Sequence, residues 1–281
     1  MNKYKFPINK KNCSPCNKNG QSKVSCYSNK SLDIIANRIN ETQTNKNMSN
    51  LSKKKKWDYI EKYFHNKCEN KEACWKNQSL VKNLKNRNID KYTFKPDLPE
   101  QWKKDKNTWL NTYDIHKVMK QYEKSNKDFM FLGPIPSDCP QEITCELSNL
   151  DLMKLKKEKI NKIGIIYNLD KSTGSGTHWT AIYIDNKNNE INYYDSYGSL
   201  PTNLISKFIK KISDNYIKNN HKPKLLYNDK RHQYGGSECG MYSMNFILER
   251  LYGNTMYNIS SRKISDKSMN ELRKKLYNNK Y

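Results

Sequence analysis

One cysteine stands where a glycine-rich segment turns into a helix. Residues 235–240 read GGSECG, and an apolar helical pattern follows Cys239. A helix start points backbone N–H groups and the positive end of the helix dipole at the sulfur, which favours a thiolate near neutral pH. The two glycines allow a backbone nest that can hold an oxyanion. Cys239 is therefore a candidate nucleophile, and a small buried residue at a helix start is the alternative interpretation.

A nucleophilic thiolate needs a base, and His178 is the candidate for that role. The chain has five histidines, and this one opens a β-rich run at residues 178–185. A glycine-containing segment, residues 174–176, precedes it. Functional residues often collect at such strand ends. The alternative interpretation is a histidine with a purely structural role.

An aspartate can orient such a base, and the hairpin pattern selects Asp195. If residues 186–189 form the loop of a hairpin, Asp185 lies opposite Glu190. That register puts Asp195 on the same face as His178 and diagonal to it, whereas Asp185 lies on the other face. The Ser-Tyr-Gly that follows Asp195 is typical of a turn, so a turn role is the compatible alternative.

Gln233 lies six residues before Cys239. Its side-chain amide can donate a hydrogen bond to a developing oxyanion beside the backbone N–H of Cys239. A loop glutamine without such a role is the alternative interpretation.

The order His178, Asp195, Gln233 and Cys239 resembles the ubiquitin-like-protein (SUMO) protease and adenovirus protease superfamily. The matching strings are HW at 178–179, YDS at 194–196 and GSECG at 236–240, and WLNTYDI at 109–115 is similar to an early helix motif of that family. The resemblance covers roughly residues 105–255. FLGPIPSD at 131–138 is similar to the processing proteases of large cytoplasmic DNA viruses, of the African swine fever virus and mimivirus-like types.

The resemblance implies a fold and a role for each residue. The fold is α+β, with a papain-like or SUMO-protease-like core in which helices flank a central mixed sheet. The implied roles are nucleophile for Cys239, general base and acid for His178, orienting group for Asp195 and oxyanion donor for Gln233. Trp179, on the opposite strand face from His178, is expected to roof a narrow substrate track that favours glycine, with simple core packing as the alternative.

The implied function is a cysteine endopeptidase that cleaves viral structural or core precursor polyproteins after glycine, at Gly-Gly-X or Ala-Gly-X sites, during virion maturation. No cofactor and no metal are expected. The partners would be viral precursor polypeptides, and the location the virion and the host cytoplasm or viral factory. An isopeptidase acting on host ubiquitin-like modifiers is one alternative, and a basic nucleic-acid-binding virion protein is another.

The periodicity of the chain separates two regions. Residues 1–95 show helical periods, with Ser31 as an expected helix cap, so a helical N-terminal domain is predicted. Pro96 and Pro99 mark the boundary. Residues 96–281 combine helices with short β-rich runs, which predicts the catalytic domain.

Charge and hydropathy narrow the possible environments. The 281 residues carry a formal charge of +24, and the mean hydropathy is −1.06. No apolar run is long enough for a membrane helix and no signal peptide is evident, so neither a membrane partner nor secretion is expected. The charge predicts non-specific DNA binding, unless it reflects a compositional bias toward lysine. The oligomeric state is left open.

The remaining signals concern cysteines, lysines and tryptophans. The eight cysteines are expected as reduced thiols, with a zinc site as the alternative for Cys13, Cys16 and Cys26 or for Cys68 and Cys74. Residues 42–56, ending in four lysines, are expected to form a solvated connector rather than a nuclear address. The tryptophans at 57, 75, 102 and 109 are expected as core anchors.

Overall fold

The computed structural model describes residues 6–8, 12–17, 24–43, 50–84, 92–105, 107–142 and 144–278. The chain divides between Pro96 and Asp97 into two units. We call residues 8–96 the helical unit. The sheet unit begins at Asp97 and includes Phe6 and Pro7. No helix of the described residues has the length and apolarity to cross a bilayer.

Two helices of 15 and 16 residues and two of four residues build the helical unit, and their buried faces follow the apolar periodicity of the sequence. A core of leucine, isoleucine and aromatic side chains lies between them. Disulfides join Cys13 to Cys26 and Cys68 to Cys74. The helices are α1 (Asn29–Gln43), α2 (Lys53–Cys68), α3 (Glu72–Trp75) and α4 (Ser79–Lys82).

Two local expectations for the helical unit are wrong. The first helix begins at Asn29, and the hydroxyl of Ser28 accepts a hydrogen bond from the Ser31 N–H, so Ser31 is not the cap. Residues 53–56 are not a solvated connector but the first turn of α2, capped by Ser52. Lys56 is buried and forms an ion pair with Asp33, a long-range contact that a run of lysines does not reveal. Residues 44–49 of the expected connector lie outside the described residues.

A five-stranded mixed sheet forms the centre of the sheet unit, with the strands in sequence order. The two edge pairs, β1–β2 and β4–β5, are parallel, and the pairs β2–β3 and β3–β4 are antiparallel. The strands are β1 (Phe129–Pro136), β2 (Lys162–Asn168), β3 (Trp179–Asp185), β4 (Glu190–Tyr194) and β5 (Lys224–Tyr227).

The central hairpin has the predicted register. Asp185 pairs with Glu190 and Ala181 pairs with Tyr194. Asp195 therefore leaves the sheet directly beyond β4, at the same end from which His178 enters β3. The pairing of side chains across this hairpin brings the candidate base and its orienting aspartate to one end of the sheet.

Helices cover both faces of the sheet. α7 and α8 share an apolar core with one face, while α9 is buried along its whole length against β2 and β3 on the other. Gly164 of β2 permits this close approach, because a Cβ there would lie 2.7 Å from the Ile247 side chain. The helices of this unit are α5 (Gln101–Lys104), α6 (Thr112–Ser125), α7 (Leu152–Lys157), α8 (Asn203–Lys218), α9 (Cys239–Leu251), α10 (Met256–Ser261) and α11 (Asp266–Leu276).

The expectation of reduced thiols is wrong for six of the eight cysteines. A third disulfide joins Cys139 to Cys145 in the sheet unit, and Cys16 and Cys239 remain outside disulfides. In the helical unit both proposed zinc-binding sets contain a disulfide, which leaves those sulfurs without the thiolates that zinc requires. Cysteine spacing alone does not tell which thiols the fold brings within bonding distance.

Candidate active site

Cys239 is the first residue of α9, as its position after a glycine-rich segment predicts. The Glu238 side chain forms no cap hydrogen bond with this helix. Cys239 is 2 % exposed. Gly235 and Gly236 do not adopt a left-handed conformation, and the sulfur lies at the positive end of the helix dipole.

His178 lies between Cys239 and Asp195. Its Nε2 is 2.8 Å from Asp195 Oδ1, and the Cys239 sulfur is close enough for its charge to act on the imidazole. Burial by itself would lower the pKa of His178, but the hydrogen bond to Asp195 and the interactions with Cys239 and Asp195 outweigh it and raise this pKa to about 9. The imidazole is therefore held as a cation at neutral pH, next to the sulfur and an anionic partner.

Hydrogen bonds outside this trio hold Asp195 in place. The Asn228 side chain accepts from the Asp195 backbone N–H at 3.0 Å and donates to the Asp195 carbonyl at 2.8 Å. The Tyr197 backbone N–H donates to Asp195 Oδ1 at 2.8 Å. Asp195 thus begins a turn and also faces the histidine, so the turn role and the position expected of an orienting group are compatible.

Gln233 is fully buried, and its amide group is held at both ends. Its Oε1 accepts a hydrogen bond from the Ser196 hydroxyl at 2.7 Å, and its Nε2 donates to the Gly235 carbonyl at 2.9 Å. The Gln233 backbone N–H donates to the Ser196 carbonyl at 2.9 Å. A primary amide has a second N–H. The rigid frame around Gln233 suits a preorganised donor.

Trp179 lies beside the helix that begins at Cys239. Its Nε1 donates to the Leu110 carbonyl at 3.0 Å, and a Cβ added at Gly240 would lie 3.3 Å from the indole Cδ1. A cavity of about 450 Å³ is lined by Trp179, Leu110, Trp109 and the glycine-containing loop 174–176. Trp109 is 41 % exposed and lines this cavity, so its expected role as a core anchor is wrong.

Three residues that the sequence analysis missed touch this site. The Tyr197 ring stacks on His178, with centroids 4.7 Å apart, and the Arg231 guanidinium lies 5.1 Å from the Tyr197 ring centre. Buried Arg273 donates to the carbonyls of Ser237 at 3.2 Å and Thr108 at 3.1 Å. It thereby ties α11 to the segments before Cys239 and Trp109. No local pattern around these residues indicates such contacts.

Known proteins with similar sequences identify the family. The model of the "Ulp1 protease family, C-terminal catalytic domain" matches residues 151–281. A protein of Acanthamoeba polyphaga mimivirus, named "Putative thiol protease", is 34 % identical over 216 residues, which span 75 % of this chain and 70 % of that protein. The chain belongs to the Ulp1 protease family. It is a cysteine protease, as the motif resemblance implies.

Further relatives of this Ulp1-family chain come from African swine fever virus. A "SUMO-1 cysteine protease" of that virus is 32 % identical over 127 residues, or 44 % of this chain and 46 % of that protein. A crystal structure of an African swine fever virus protease matches 98 % of both chains with a TM-score of 0.68 at 21 % identity. This match confirms the predicted SUMO-protease-like fold with a helical N-terminal extension.

The described residues contain a single cluster with metal-ligand spacing, formed by Cys13, Cys26 and Glu72 in the helical unit. The two cysteines are bonded to each other, and the Glu72 carboxylate accepts hydrogen bonds from Ser25 and Trp57.

Proposed function

We propose that this protease is an endopeptidase in which Cys239 is the nucleophile, His178 the general base and acid, and Asp195 the orienting group. The observation that carries the proposal is the buried row of three groups, in which His178 hydrogen-bonds to Asp195 and its pKa is raised by interactions with both Asp195 and Cys239. A thiolate beside an imidazolium is the reactive form of such a pair.

The proposed reaction has two steps. In the first, the Cys239 sulfur attacks the scissile carbonyl carbon, and the oxyanion accepts hydrogen bonds from the second Gln233 amide N–H and the Cys239 backbone N–H. His178 then gives its proton to the leaving amine, which leaves a thioester on Cys239. In the second, His178 takes a proton from water, and the resulting attack on the thioester releases the carboxylate product and the thiolate.

We further propose that cleavage follows glycine. The cavity of about 450 Å³ is bounded by two tryptophans, Trp109 and Trp179, and Trp179 is anchored through its Nε1 to the Leu110 carbonyl. An anchored indole next to Gly240 leaves little room beside the substrate backbone, which favours residues without a side chain at the cut. Gly-Gly-X and Ala-Gly-X sequences meet that condition.

The proposed substrates are viral structural or core precursors that are cut during virion maturation, with the enzyme packaged in the particle and present in the host cytoplasm or viral factory. Similarity to proteins of two large DNA viruses supports this choice. The name "SUMO-1 cysteine protease" of one relative favours a second candidate, removal of ubiquitin-like modifiers from host proteins.

Purified enzyme incubated with a precursor library and with SUMO conjugates separates the two candidates. We expect new N-termini after Gly-Gly or Ala-Gly in viral precursors, identified by mass spectrometry, and slower release of modifiers. The Cys239→Ala variant is the control for contaminating proteases. Preferred cleavage after large or charged residues contradicts the glycine proposal, while faster release of SUMO favours the second candidate.

A further inference from the structure

A second cavity, of about 290 Å³, lies behind the loop that carries Gln233. It is bounded by residues 230–234 on one side and by residues 260–266, between α10 and α11, on the other. We call this cavity the basic pocket. It is separate from the cavity that Trp109 and Trp179 line, because the two share no lining residue.

Four cations line the basic pocket: Lys230, Arg231, Arg262 and Lys263. Two of them are arginines, although the whole chain has six arginines among its 52 basic residues. Arginine binds oxyanions through a planar set of donors, so its concentration here differs from the general lysine excess of the chain.

Asp266 is the acidic residue of the pocket, and backbone and hydroxyl groups already hold its carboxylate. Its Oδ2 accepts from the N–H groups of Tyr234 at 3.0 Å and Gly235 at 2.8 Å. Its Oδ1 accepts from the Tyr242 hydroxyl at 3.0 Å. Asp266 and Glu249, which forms an ion pair with Arg262, offset two of the four cations, so a positive excess remains in the cavity.

Two buried donors of the pocket side chains have no hydrogen-bond partner among the described residues. These atoms are the Ser260 hydroxyl oxygen and Arg262 Nε. The remainder of the Arg262 guanidinium is placed by a 3.0 Å ion pair with buried Glu249, so Nε is held in position. A buried donor without a partner costs free energy that a bound acceptor would recover.

The field in the pocket also acts on His232, which is 5 % exposed. Burial is the main cause that lowers the pKa of His232, and the charges of Arg262 and Lys230 lower it further. The start of α11 adds the positive end of an eleven-residue helix at Ser265 and Asp266. These observations all favour a negatively charged ligand in the pocket.

From this arrangement we infer that the basic pocket binds a phosphate-class oxyanion. Lys230 and Lys263 supply charge, while the Ser260 hydroxyl and Arg262 Nε supply fixed donors. Such a group can come from a free inorganic or organic phosphate or from the backbone of a nucleic acid, and the two sources share the same chemistry.

Arg231 connects the pocket to the candidate active site. Its Nε donates to the Gln233 carbonyl at 2.8 Å, and its guanidinium lies between the rings of Tyr197 and Tyr234, at 5.1 and 5.0 Å from their centres. An anion that fixes Arg231 therefore stabilises the positions of Gln233 and of the tyrosine that stacks on His178. A rise in kcat on anion binding rests on the proposed function, whereas binding itself does not.

Calorimetric titration of the full chain with inorganic pyrophosphate at constant ionic strength tests the binding. The double variant Lys230→Gln, Lys263→Gln removes two pocket charges, and Lys207→Gln, Lys218→Gln removes two exposed charges on α8 as its matched control. We expect the pocket variant to raise the Kd about tenfold and the control less than about twofold. Ser260→Ala, which leaves the charge unchanged, is expected to weaken binding as well.

Equal weakening by the two double variants would assign binding to net charge and overturn the proposal, as would the absence of measurable binding by the unmodified chain. A duplex-DNA competitor separates the two sources of phosphate. Displacement of pyrophosphate assigns the site to a DNA backbone, and simultaneous binding assigns it to a free anion. The activity measurement is a separate test. If pyrophosphate binds in the pocket without changing kcat, the coupling through Arg231 is refuted, but the binding site is not.

Discussion

The two units of this protease are stabilised in different ways. In the helical unit, helices surround a cluster of rings in which Tyr27 stacks on Trp75 at 5.7 Å, and two disulfides close loops around it. In the sheet unit, helices cover both faces of five strands, and α9 is buried from end to end. The helical unit is the smaller of the two, and a small unit buries a smaller fraction of its surface, so covalent links contribute more to it.

The sheet unit, by contrast, gains its rigidity from long-range packing. This rigidity matters for chemistry, because Cys239 lies on a helix that is fully buried and His178 and Asp195 lie at the ends of paired strands. The net positive charge is larger in the other region: residues 1–95 carry +15 and the longer stretch 96–281 carries +9. The residues proposed for catalysis therefore lie in the sheet unit, whereas most of the net charge lies in the N-terminal region.

The largest expected effect separates the two cysteines that are outside disulfides. Cys239→Ala is expected to abolish peptide cleavage while the fold is retained, because a small residue at the start of α9 loses little packing. Cys16→Ala, in the helical unit, is the matched control and is expected to keep most of the activity. Cleavage by both variants at similar rates, measured with one fluorogenic Gly-Gly peptide, would refute Cys239 as the nucleophile.

The partners of Cys239 are expected to differ in severity. His178→Ala removes the base and acid and should be as severe as Cys239→Ala. Asp195→Ala should be milder, because this side chain orients the histidine and does not react. The same peptide assay ranks the three variants, and a milder effect of His178→Ala than of Asp195→Ala would contradict the assigned roles.

Gln233→Ala is expected to lower kcat by about 10²–10³-fold with little change in KM, since the oxyanion exists only in the transition state. Gln43→Ala, at the exposed end of α1 in the helical unit, serves as the control. Steady-state kinetics measure both constants. A change in KM alone would make Gln233 a substrate-binding residue instead of an oxyanion donor.

Removal of disulfides is expected to affect the helical unit more than the sheet unit. The Cys13–Cys26 bond closes a loop with a separation of 13 residues, whereas Cys139–Cys145 closes one of six. The paired change Cys13→Ser, Cys26→Ser should lower the free energy of unfolding by about 3 kcal/mol, and the change Cys139→Ser, Cys145→Ser by less. Denaturant unfolding compares the two. Equal losses would show that loop length does not govern the difference.

The raised pKa of His178 predicts how activity and stability of the sheet unit depend on pH. Its folded pKa of about 9 exceeds its ordinary value of 6.5, so its protonated form stabilises the fold fully below about pH 6.5. This contribution is lost as the pH rises through about 9. We expect kcat/KM to fall on the alkaline side near pH 9. Asp195→Asn removes a nearby negative charge and should move this limb to lower pH. An unchanged limb would exclude the His178–Asp195 pair as its origin.

The smallest expected effect concerns DNA. The chain is expected to bind duplex DNA without sequence preference at about 50 mM salt, and binding should weaken steeply by about 200 mM. Lys62→Gln with Lys67→Gln on α2 is expected to weaken binding more than Lys207→Gln with Lys218→Gln on α8, because the helical unit carries the denser charge. Fluorescence anisotropy measures both. Absence of binding at low salt would make the charge a matter of composition.

Local sequence was sufficient for the elements that carry the site. The apolar period after Cys239 defines α9, and the β-rich runs on either side of residues 186–189 define the β3–β4 hairpin and its register. Both depend on neighbours a few residues apart, where backbone geometry dictates which side chains share a face. The order of His178, Asp195, Gln233 and Cys239 was then enough to recognise the family.

Tertiary structure alone decided the contacts between distant segments. It paired six cysteines that spacing left as thiols, buried Lys56 against Asp33 and placed Trp109 on the wall of a cavity instead of in the core. It also brought Arg273 from α11 to the carbonyl of Ser237. Apart from the two disulfides with a separation of six residues, these contacts join residues far apart in the chain. No periodic pattern encodes them, because their partners are set by how helices and strands pack. The basic pocket behind Gln233 belongs to this second class, since two segments about thirty residues apart close it.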